Sequence, residues 1–380
     1  MDINELRAQI DGVDKQIIEL YTKRMEISEG IAAYKQSVGK AIYDPERERK
    51  KLVEVAGQVD PSLRTGALML FSTLFELSST HQMQVMNKTS DLAQRITDAI
   101  EHTPKQFPQF PIVACQGVEG AYSQIACEKL FNTPNIMYFN NFEGVFSAIE
   151  NGMCEYGILP IENSTAGSVN RIYDLMAQHN CYVARSVRLK IDHSLLAKPG
   201  VKREDIKEIF SHEQAINQCA GFLKTLPHVK VTVVENTAIA AKMVAESDRT
   251  DVAALSSHSC ASLYGLDCLS ASVQDKGNNY TRFICISKNL EIYPGADRTS
   301  IMCVVAHRPG SLFKVLSRFF ALGINLQKLE SRPIPDRDFE YMMYFDFDTP
   351  LYSPEFVQVI SELEDMCEEF RYFGSYSELV

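Results

Sequence analysis

INELRAQIDGVDKQIIELYTKRMEISEGIAAYKQSV, residues 3–38, sets the reading of the first part of the chain. Its apolar residues fall at Ile3, Leu6, Ile10, Val13, Ile17 and Leu20, then at Ile27, Ile31, Tyr34 and Val38. Steps of three and four place them on one stripe of a helix. At a rise of about 1.5 Å per residue, that helix is about 50 Å long. A helix of this length needs partners for its stripe, which predicts a bundle or an intertwined dimer. Working outward, Asp44-Pro45 reads as an N-cap followed by proline at the first helical position, opening DPERERKKLVEVA. Asp60-Pro61 repeats the signal and predicts a third helix to about Met86. Residues 1–88 are therefore expected to be all-helical.

Residues 89–108 read as a polar linker ending in Thr103-Pro104 and Phe107-Pro108. Beyond it the periodicity changes. IVACQG (112–117), YGILPIEN (156–163), YVARSVRL (182–189), EIFSH (208–212), VKVTVVEN (229–236) and DVAALSS (251–257) are strand candidates with helical stretches between most of them. That alternation predicts an α/β domain over 109–288, bilobed and with a mainly parallel sheet. Residues 298–380 read strand, helix, strand, strand, helix, strand, which is the α+β ferredoxin-like order.

The 380 residues suffice for two or three domains. Lys and Arg number 38 against 49 Asp and Glu, a formal charge of −11, which argues against nonspecific nucleic-acid binding. No apolar run reaches the roughly 18–20 residues that span a bilayer, so no membrane partner is expected. MDINELRAQI is acidic and amphipathic, unlike a signal peptide. The ten cysteines are scattered, without a C-x-x-C pair, which predicts reduced thiols in a cytoplasmic protein and no zinc site.

Arg7, Arg24 and Lys35 are cations on the long helix. Arg24 and Lys35, 11 residues apart, share a face, whereas Arg7 lies roughly 25 Å along the axis from Arg24. If one small ligand meets all three, Arg7 must come from a second copy of the helix. Asp44, Arg47 and Glu48 follow on the second helix, and Ser78 and Gln82 lie at i,i+4 on the third. L-R-x-x-I-D-x-x-D, K-R-M-E-I, Lys35 and D-P-E-R-E-R together resemble the all-helical chorismate mutase family across residues 3–86. The resemblance implies an intertwined dimer in which Arg7 of one subunit joins Arg24 and Arg47 of the other on the carboxylates of chorismate. It implies that Lys35 and Gln82 meet the ether oxygen as catalytic donors. Asp44 and Glu48, the latter also implied as catalytic, would meet the ring hydroxyl, with Ser78 nearby. A pericyclic rearrangement needs a compact conformer and donors at the developing charge, and no cofactor. Bidentate arginine–carboxylate pairing suits the first task.

In the middle region, G-x-x-G-x-Y-S (117–123), E-N-S-x-x-G-x-V (162–169), S-H-x-Q-x-x-x-Q (211–218) and T-R-F (281–283) each fall at a strand–helix junction or strand end, where α/β ligand sites form. In this order they resemble the prephenate dehydratase family over about 110–287, with Val118 and Glu213 standing where the family often has proline. The resemblance implies Thr281 as hydrogen-bond or proton donor to the departing hydroxyl. It places Ser123, Asn163, Ser164, Ser211, Gln218, Arg282 and Phe283 around prephenate, with Arg282 on a carboxylate. His212 reads equally as a structural histidine or an acid.

Pro309-Gly310-Ser311-Leu312, G-I-N-L (323–326) and E-S-R-P (330–333) resemble the phenylalanine-binding ACT domain. The resemblance implies an L-phenylalanine site at Gly310, Ser311, Leu312, Asn325, Leu326, Glu330, Ser331 and Arg332, between subunits paired side by side. Taken together, the three matches imply a bifunctional enzyme of phenylalanine biosynthesis, without metal or cofactor, inhibited by its end product. It would be a homodimer, with a tetramer as the alternative. The competing class is an amino-acid sensor without catalysis, whose helical part serves only to dimerise.

Overall fold

The computed structural model describes residues 2–86, 90–321, 323–334, 337–349, 351 and 354–380. The chain divides into two compact units, one ending at Asp91 and one spanning Leu92–Val380.

The first unit holds α1 (Ile3–Val38), α2 (Pro45–Gln58) and α3 (Arg64–Val85). The expected long helix is continuous and stops where Gly39 takes φ +67, a left-handed C-cap. Asp44 caps α2, its Oδ1 accepting from the Arg47 N–H at 3.1 Å. Asp60-Pro61 behaves differently from the expectation. Asp60 Oδ1 accepts from the Ser62 N–H at 3.0 Å and the Ser62 hydroxyl at 2.7 Å, which closes a turn, and α3 begins three residues later. The expected domain edge at 88–89 lies outside the described residues. Much of the α1 stripe, including Ile10, Val13, Ile17 and Leu20, is exposed within one chain.

The second unit opens with α4 (Asp91–His102), inside the stretch expected to be a linker. Leu92, Ile96 and Ala99 recur at helical spacing and are buried with Ile292, Ile301, Phe345 and Phe347. The polar residues between them hid a one-sided amphipathic helix.

Then follow β1 (Ile112–Gln116), α5 (Tyr122–Leu130), β2 (Asn135–Phe139), α6 (Phe142–Glu150), β3 (Tyr156–Asn163), β4 (Gly167–Ser168), α7 (Asn170–Gln178) and β5 (Tyr182–Lys190). The chain crosses into a second lobe through β6 (Ser194–Ala197), β7 (Glu208–Ser211), α8 (Glu213–Gln218), α9 (Ala220–Lys224), β8 (Lys230–Val233), α10 (Thr237–Glu246), β9 (Val252–Ser256), α11 (Ser259–Tyr264) and β10 (Asp267–Ser270). It returns as β11 (Tyr280–Ser287). The last part comprises β12 (Arg298–Val304), α12 (Ser311–Ala321), β13 (Leu326–Pro333), β14 (Tyr341–Asp348), α13 (Pro354–Met366), β15 (Glu369–Tyr376) and β16 (Glu378–Leu379).

Three sheets result. The first runs β16-β5-β11-β3-β1-β2 with β4 beside β3, the second β10-β6-β9-β7-β8, and the third β13-β14-β12-β15. The first two are mixed, where a mainly parallel sheet was expected. β1–β2, β1–β3, β7–β8 and β7–β9 are parallel, but β11 lies antiparallel between β3 and β5. The reason is the return path: β11 comes back from the second lobe and so enters the first sheet from its far end. The two crossings make the region bilobed, as expected.

The third sheet has the ferredoxin-like order and is antiparallel throughout. One of its faces carries the helices. The other lies on the first lobe, and β16 joins that lobe's sheet beside β5. Gly374 permits this closeness, because a Cβ there would stand 2.6 Å from the Val183 carbonyl oxygen.

Candidate functional site

In the helical unit, α1 and α3 bring Arg24, Ser78 and Gln82 to one region. Arg24 Nη1 donates to the Leu74 carbonyl at 2.6 Å and closely to the Ser78 hydroxyl. Gln82 is buried, and its Oε1 has no hydrogen-bond partner. A buried amide oxygen without a donor faces a place where a polar ligand group would be satisfied. Lys35 Nζ donates to the Ile42 carbonyl just before α2. Burial lowers the Lys35 pKa, Asp44 and Glu48 oppose that, and Arg47 adds to it, so the four charges share one neighbourhood. Burial likewise lowers the Arg24 pKa. Arg7 is exposed on the first turns of α1.

In the second unit, a cavity of about 550 Å³ lies between the lobes. Its lining includes Thr165 and Ala166 after β3, His212 and Gln218 around α8, and Gln274 and Asn279 before β11. Its back wall is set by the pairing of β3 with β11. Thr281 stands opposite Asn163, and Arg282 opposite Glu162. Opposed residues share a face, and successive ones alternate, so Asn163 and Thr281 share one face while Glu162 and Arg282 share the other. A bulge follows at once: Phe283 pairs with Pro160, which has no N–H to give the ladder.

Asn163 is the centre of the wall. Its Oδ1 accepts from the backbone N–H groups of Thr165 and Ala166 at 3.0 and 2.9 Å and from the Thr165 hydroxyl at 2.7 Å. Its Nδ2 donates to Thr281 Oγ1 at 2.9 Å and to Asn279 Oδ1 at 2.8 Å. Gln218 joins them, its Nε2 donating to Thr165 Oγ1 at 3.1 Å and its Oε1 accepting from Asn279 Nδ2 at 2.9 Å. Thr281 is buried behind the lining residues, two hydrogen bonds from Thr165 and Asn279 by way of Asn163. His212 caps α8, its Nδ1 accepting from the Gln214 N–H at 3.3 Å, and also lines the cavity.

Several residues expected here are engaged elsewhere. The Ser123 hydroxyl donates to the Gln116 carbonyl at 2.6 Å and ties α5 to β1. The Ser211 hydroxyl donates to the Leu255 carbonyl at 2.7 Å and ties β7 to β9. Ser164 clamps the approach to β11, donating to the Asn278 carbonyl at 3.1 Å and accepting from the Tyr280 N–H at 2.9 Å. Phe283 is buried in the apolar core with Val113, Ala126 and Cys285. Arg282, expected on a substrate carboxylate, points away from the cavity. It is only 4% exposed and pairs with Glu162 at 2.7 Å and closely with Asp346 of the third sheet. Burial alone would lower its pKa, but the carboxylates of Asp346 and Glu162 outweigh that and raise it. Thr165, Asn279 and His193 complete the polar wall without having been singled out as site residues. Only Asn279, next to the T-R-F block, carried a local signal.

A second cavity, of about 370 Å³, is lined by residues including His307, Arg308, Pro309, Ser311, Leu312 and Met343. Gly310 makes its turn at φ +88. Ser331 faces Met343 across the ladder and so shares that face of the sheet. Glu330 and Arg332, expected at the same ligand, alternate to the opposite face. Glu330 accepts from Ser168 at 2.6 Å, and Arg332 grips Asp174 of α7 through two bonds of 3.1 and 2.9 Å. Lys328 joins Glu162 at 2.6 Å. Asn325 donates to Asp348 at 3.1 Å, and Leu326 packs into the core under the helices. Among the described residues no group of three or more His, Cys, Asp or Glu is placed to hold a metal ion, and no helix is long and apolar enough to cross a membrane.

Residues 113–291 match the prephenate dehydratase family, and residues 6–83 match chorismate mutase type II. The chain belongs to the prephenate dehydratase family and carries a chorismate mutase domain ahead of it. An Arabidopsis thaliana arogenate dehydratase/prephenate dehydratase is 37% identical over 281 residues, covering 70% of this chain and 71% of that protein. A bifunctional chorismate mutase/prephenate dehydratase of Aquifex aeolicus is 28% identical over 379 residues, covering 99% of this chain and 98% of its own length. Among solved structures, prephenate dehydratase from Arthrobacter aurescens in complex with L-Phe aligns with TM-score 0.64 and 27% identity, covering 70% of this chain and 89% of that one.

Proposed function

We propose that the helical unit rearranges chorismate to prephenate, that the cavity between the lobes converts prephenate to phenylpyruvate, and that L-phenylalanine inhibits through an ACT domain at residues 298–380. Two compact units, each with its own cluster of polar groups and each matched by its own family, carry this reading.

In the first reaction a C–O ether bond breaks as a C–C bond forms. Arg24 and Arg47 hold the substrate carboxylates, with Arg7 contributed by a second copy of the chain. Lys35 and Gln82 donate to the ether oxygen where charge develops. Turning the Gln82 amide over aims its NH₂ into the space its orphaned oxygen now faces. Asp44 and Glu48 meet the ring hydroxyl. The exposed apolar stripe of α1 supports a homodimer, because a contiguous stripe of large apolar side chains is covered in stable soluble proteins.

In the second reaction the C–C bond to the carboxylate breaks and releases CO₂. Its electron pair enters the ring, and hydroxide leaves as water with a proton. Aromatisation drives the step. Thr281 supplies the hydrogen bond to the departing oxygen, and Asn163, Gln218 and Ser164 shape the wall. The cavity beside Ser311 and Leu312 is the phenylalanine site, with Gly310 making its turn. The ten free cysteines, most of them buried, support a cytoplasmic location.

The test is to supply chorismate alone, without metal or cofactor, and follow chorismate, prephenate and phenylpyruvate with and without phenylalanine. Phenylpyruvate formation suppressed by phenylalanine is expected. Prephenate accumulating alone overturns the dehydratase reading and favours a sensor. No loss of chorismate overturns the mutase reading. Thr281→Ala is expected to abolish dehydratase turnover while sparing mutase turnover and phenylalanine binding.

A further inference from the structure

We infer that His193 is a positioning residue for the dehydratase site: it secures the Gln218 end of a directional amide chain behind the cavity, whose Asn163 end leaves the Thr281 hydroxyl as a donor. The inference rests on the cavity being the dehydratase site.

The argument starts from two atoms whose roles are fixed. The backbone nitrogens of Thr165 and Ala166 can only donate, so the Asn163 atom they meet is its oxygen. The other end of that amide is therefore NH₂, and it donates to Thr281 Oγ1 and to Asn279. Asn279 must present its oxygen there, which turns its own NH₂ toward Gln218. Gln218 must then present its oxygen to Asn279 and its NH₂ to Thr165 Oγ1. Thr165 in turn gives its hydroxyl proton to Asn163 Oδ1 at 2.7 Å, so the loop closes with every donor matched to an acceptor.

His193 Nε2 lies 3.0 Å from the same Gln218 oxygen. That oxygen accepts, so Nε2 carries the hydrogen and the neutral ring has a bare Nδ1. His193 Nδ1 is buried with no partner, as this tautomer allows and the other would penalise. His193 is 2% exposed, and its ring meets that of Tyr122 in a T-shaped contact at 6.1 Å between centroids. Its backbone N–H is held by Gln274 Oε1 at 2.9 Å. Burial lowers the His193 pKa, and His212 adds to that. The Gln218 bond and Asp192 oppose it, and the net effect favours the neutral form.

The consequence reaches Thr281. Its oxygen accepts from Asn163, which leaves its hydrogen for the departing hydroxyl. If the Gln218 amide turned over, its NH₂ would meet the NH₂ of Asn279 and the chain would lose its direction. His193 opposes that turn, because its Nε2–H would then face a second donor. No motif marks this histidine; it follows Asp192 at a crossing between the lobes.

The test compares His193→Phe, which keeps the ring and removes the donor, with His193→Gln, which restores a donor. Dehydratase kcat in His193→Phe should fall about tenfold or more, the rate equivalent of one lost hydrogen bond, with KM nearly unchanged. His193→Gln should recover most of that loss. A parental melting temperature for the second unit, read by scanning calorimetry of the same preparations, checks that the unit holding His193 is folded. A parental kcat in His193→Phe, or equal loss in both variants, overturns the inference. Ring ¹⁵N spectra of histidine-labelled protein, assigned by difference from His193→Gln, supply a readout that needs no turnover. The neutral Nε2–H form is expected at pH 7, and the Nδ1–H form overturns the inference. If the parent protein leaves prephenate untouched while the tautomer is as expected, the reading of the cavity fails and the hydrogen-bond direction stands.

Discussion

Asp346→Ala removes the carboxylate that faces Arg282 across the contact between the third sheet and the first lobe. Asp346 is buried, accepts from the Ser300 hydroxyl at 2.5 Å, and pairs closely with Arg282. Burial alone would raise the Asp346 pKa, but the guanidinium of Arg282 and the Ser300 hydrogen bond outweigh it and hold the group ionised. Without it, Arg282 keeps only Glu162, which is about one-third exposed, and its Nη1 already lacks a partner. Leaving a buried charge with half its compensation costs about 3–5 kcal/mol. For a unit of this size, about 2–4 °C per kcal/mol makes that a loss of roughly 6–20 °C in melting temperature. Scanning calorimetry of the full chain reads it, with mutase turnover as the control for the helical unit. Asp346→Asn should cost nearly as much, since the loss is of charge rather than shape. Arg282→Met combined with Asp346→Leu should recover most of the loss, because removing both partners leaves no orphaned charge. A shift of less than about 2 °C in Asp346→Ala, or a double variant as unstable as the two single losses combined, refutes the reasoning. Dehydratase kcat should fall too, since Arg282 and Glu162 adjoin Thr281 and Asn163 on the same strands.

Lys35→Ala or Arg24→Ala should abolish mutase turnover and leave conversion of supplied prephenate intact; prephenate made from chorismate at the parental rate removes the assignment. Glu208 accepts from Thr232, Lys230 and Arg249 at 2.7, 2.8 and 2.6 Å, and these bonds hold its carboxyl down to about 2. A depressed carboxylate stabilises the fold above its ordinary value of 4.5, and that contribution is lost as the pH falls toward 2. Denaturant titrations of Glu208→Gln should therefore show a flatter loss of stability between those values, and curves parallel to the parent's contradict this. Gly374→Ala sets a methyl group 2.6 Å from the Val183 carbonyl oxygen at φ +130, where only backbone movement gives relief. It should cost about 2 kcal/mol or more by denaturant midpoint, and an unchanged midpoint would show that β15 and β5 are not packed this closely.

What was legible in the sequence was local. The stripe from Ile3 to Val38 and the Asp44-Pro45 cap define α1 and the start of α2, because helix periodicity and capping involve residues within a few positions of each other. The run YGILPIEN is β3 in full, since a strand covered on both faces reads as continuous apolar sequence. The T-R-F and E-N-S blocks led to Thr281 and Asn163, which the ladder sets opposite each other.

Tertiary structure decided what each polar side chain meets. Alternation along β11 already separates Thr281 from Arg282, yet nothing near Arg282 in the chain announces Asp346, 64 residues away. The same alternation along β13 sends Glu330 and Arg332 to the dehydratase lobe and leaves Ser331 on the face of the second cavity. Ser123 and Ser211 have the residue type of a binding site, but each hydroxyl is taken by a carbonyl that only the packing of strands brings near. His193 shows the converse, an unmarked residue given its place by Gln218 from another element. The physical reason is common to all of these: residue type and period fix which way a side chain points relative to its own element, whereas its hydrogen-bond partner depends on contacts made across the fold.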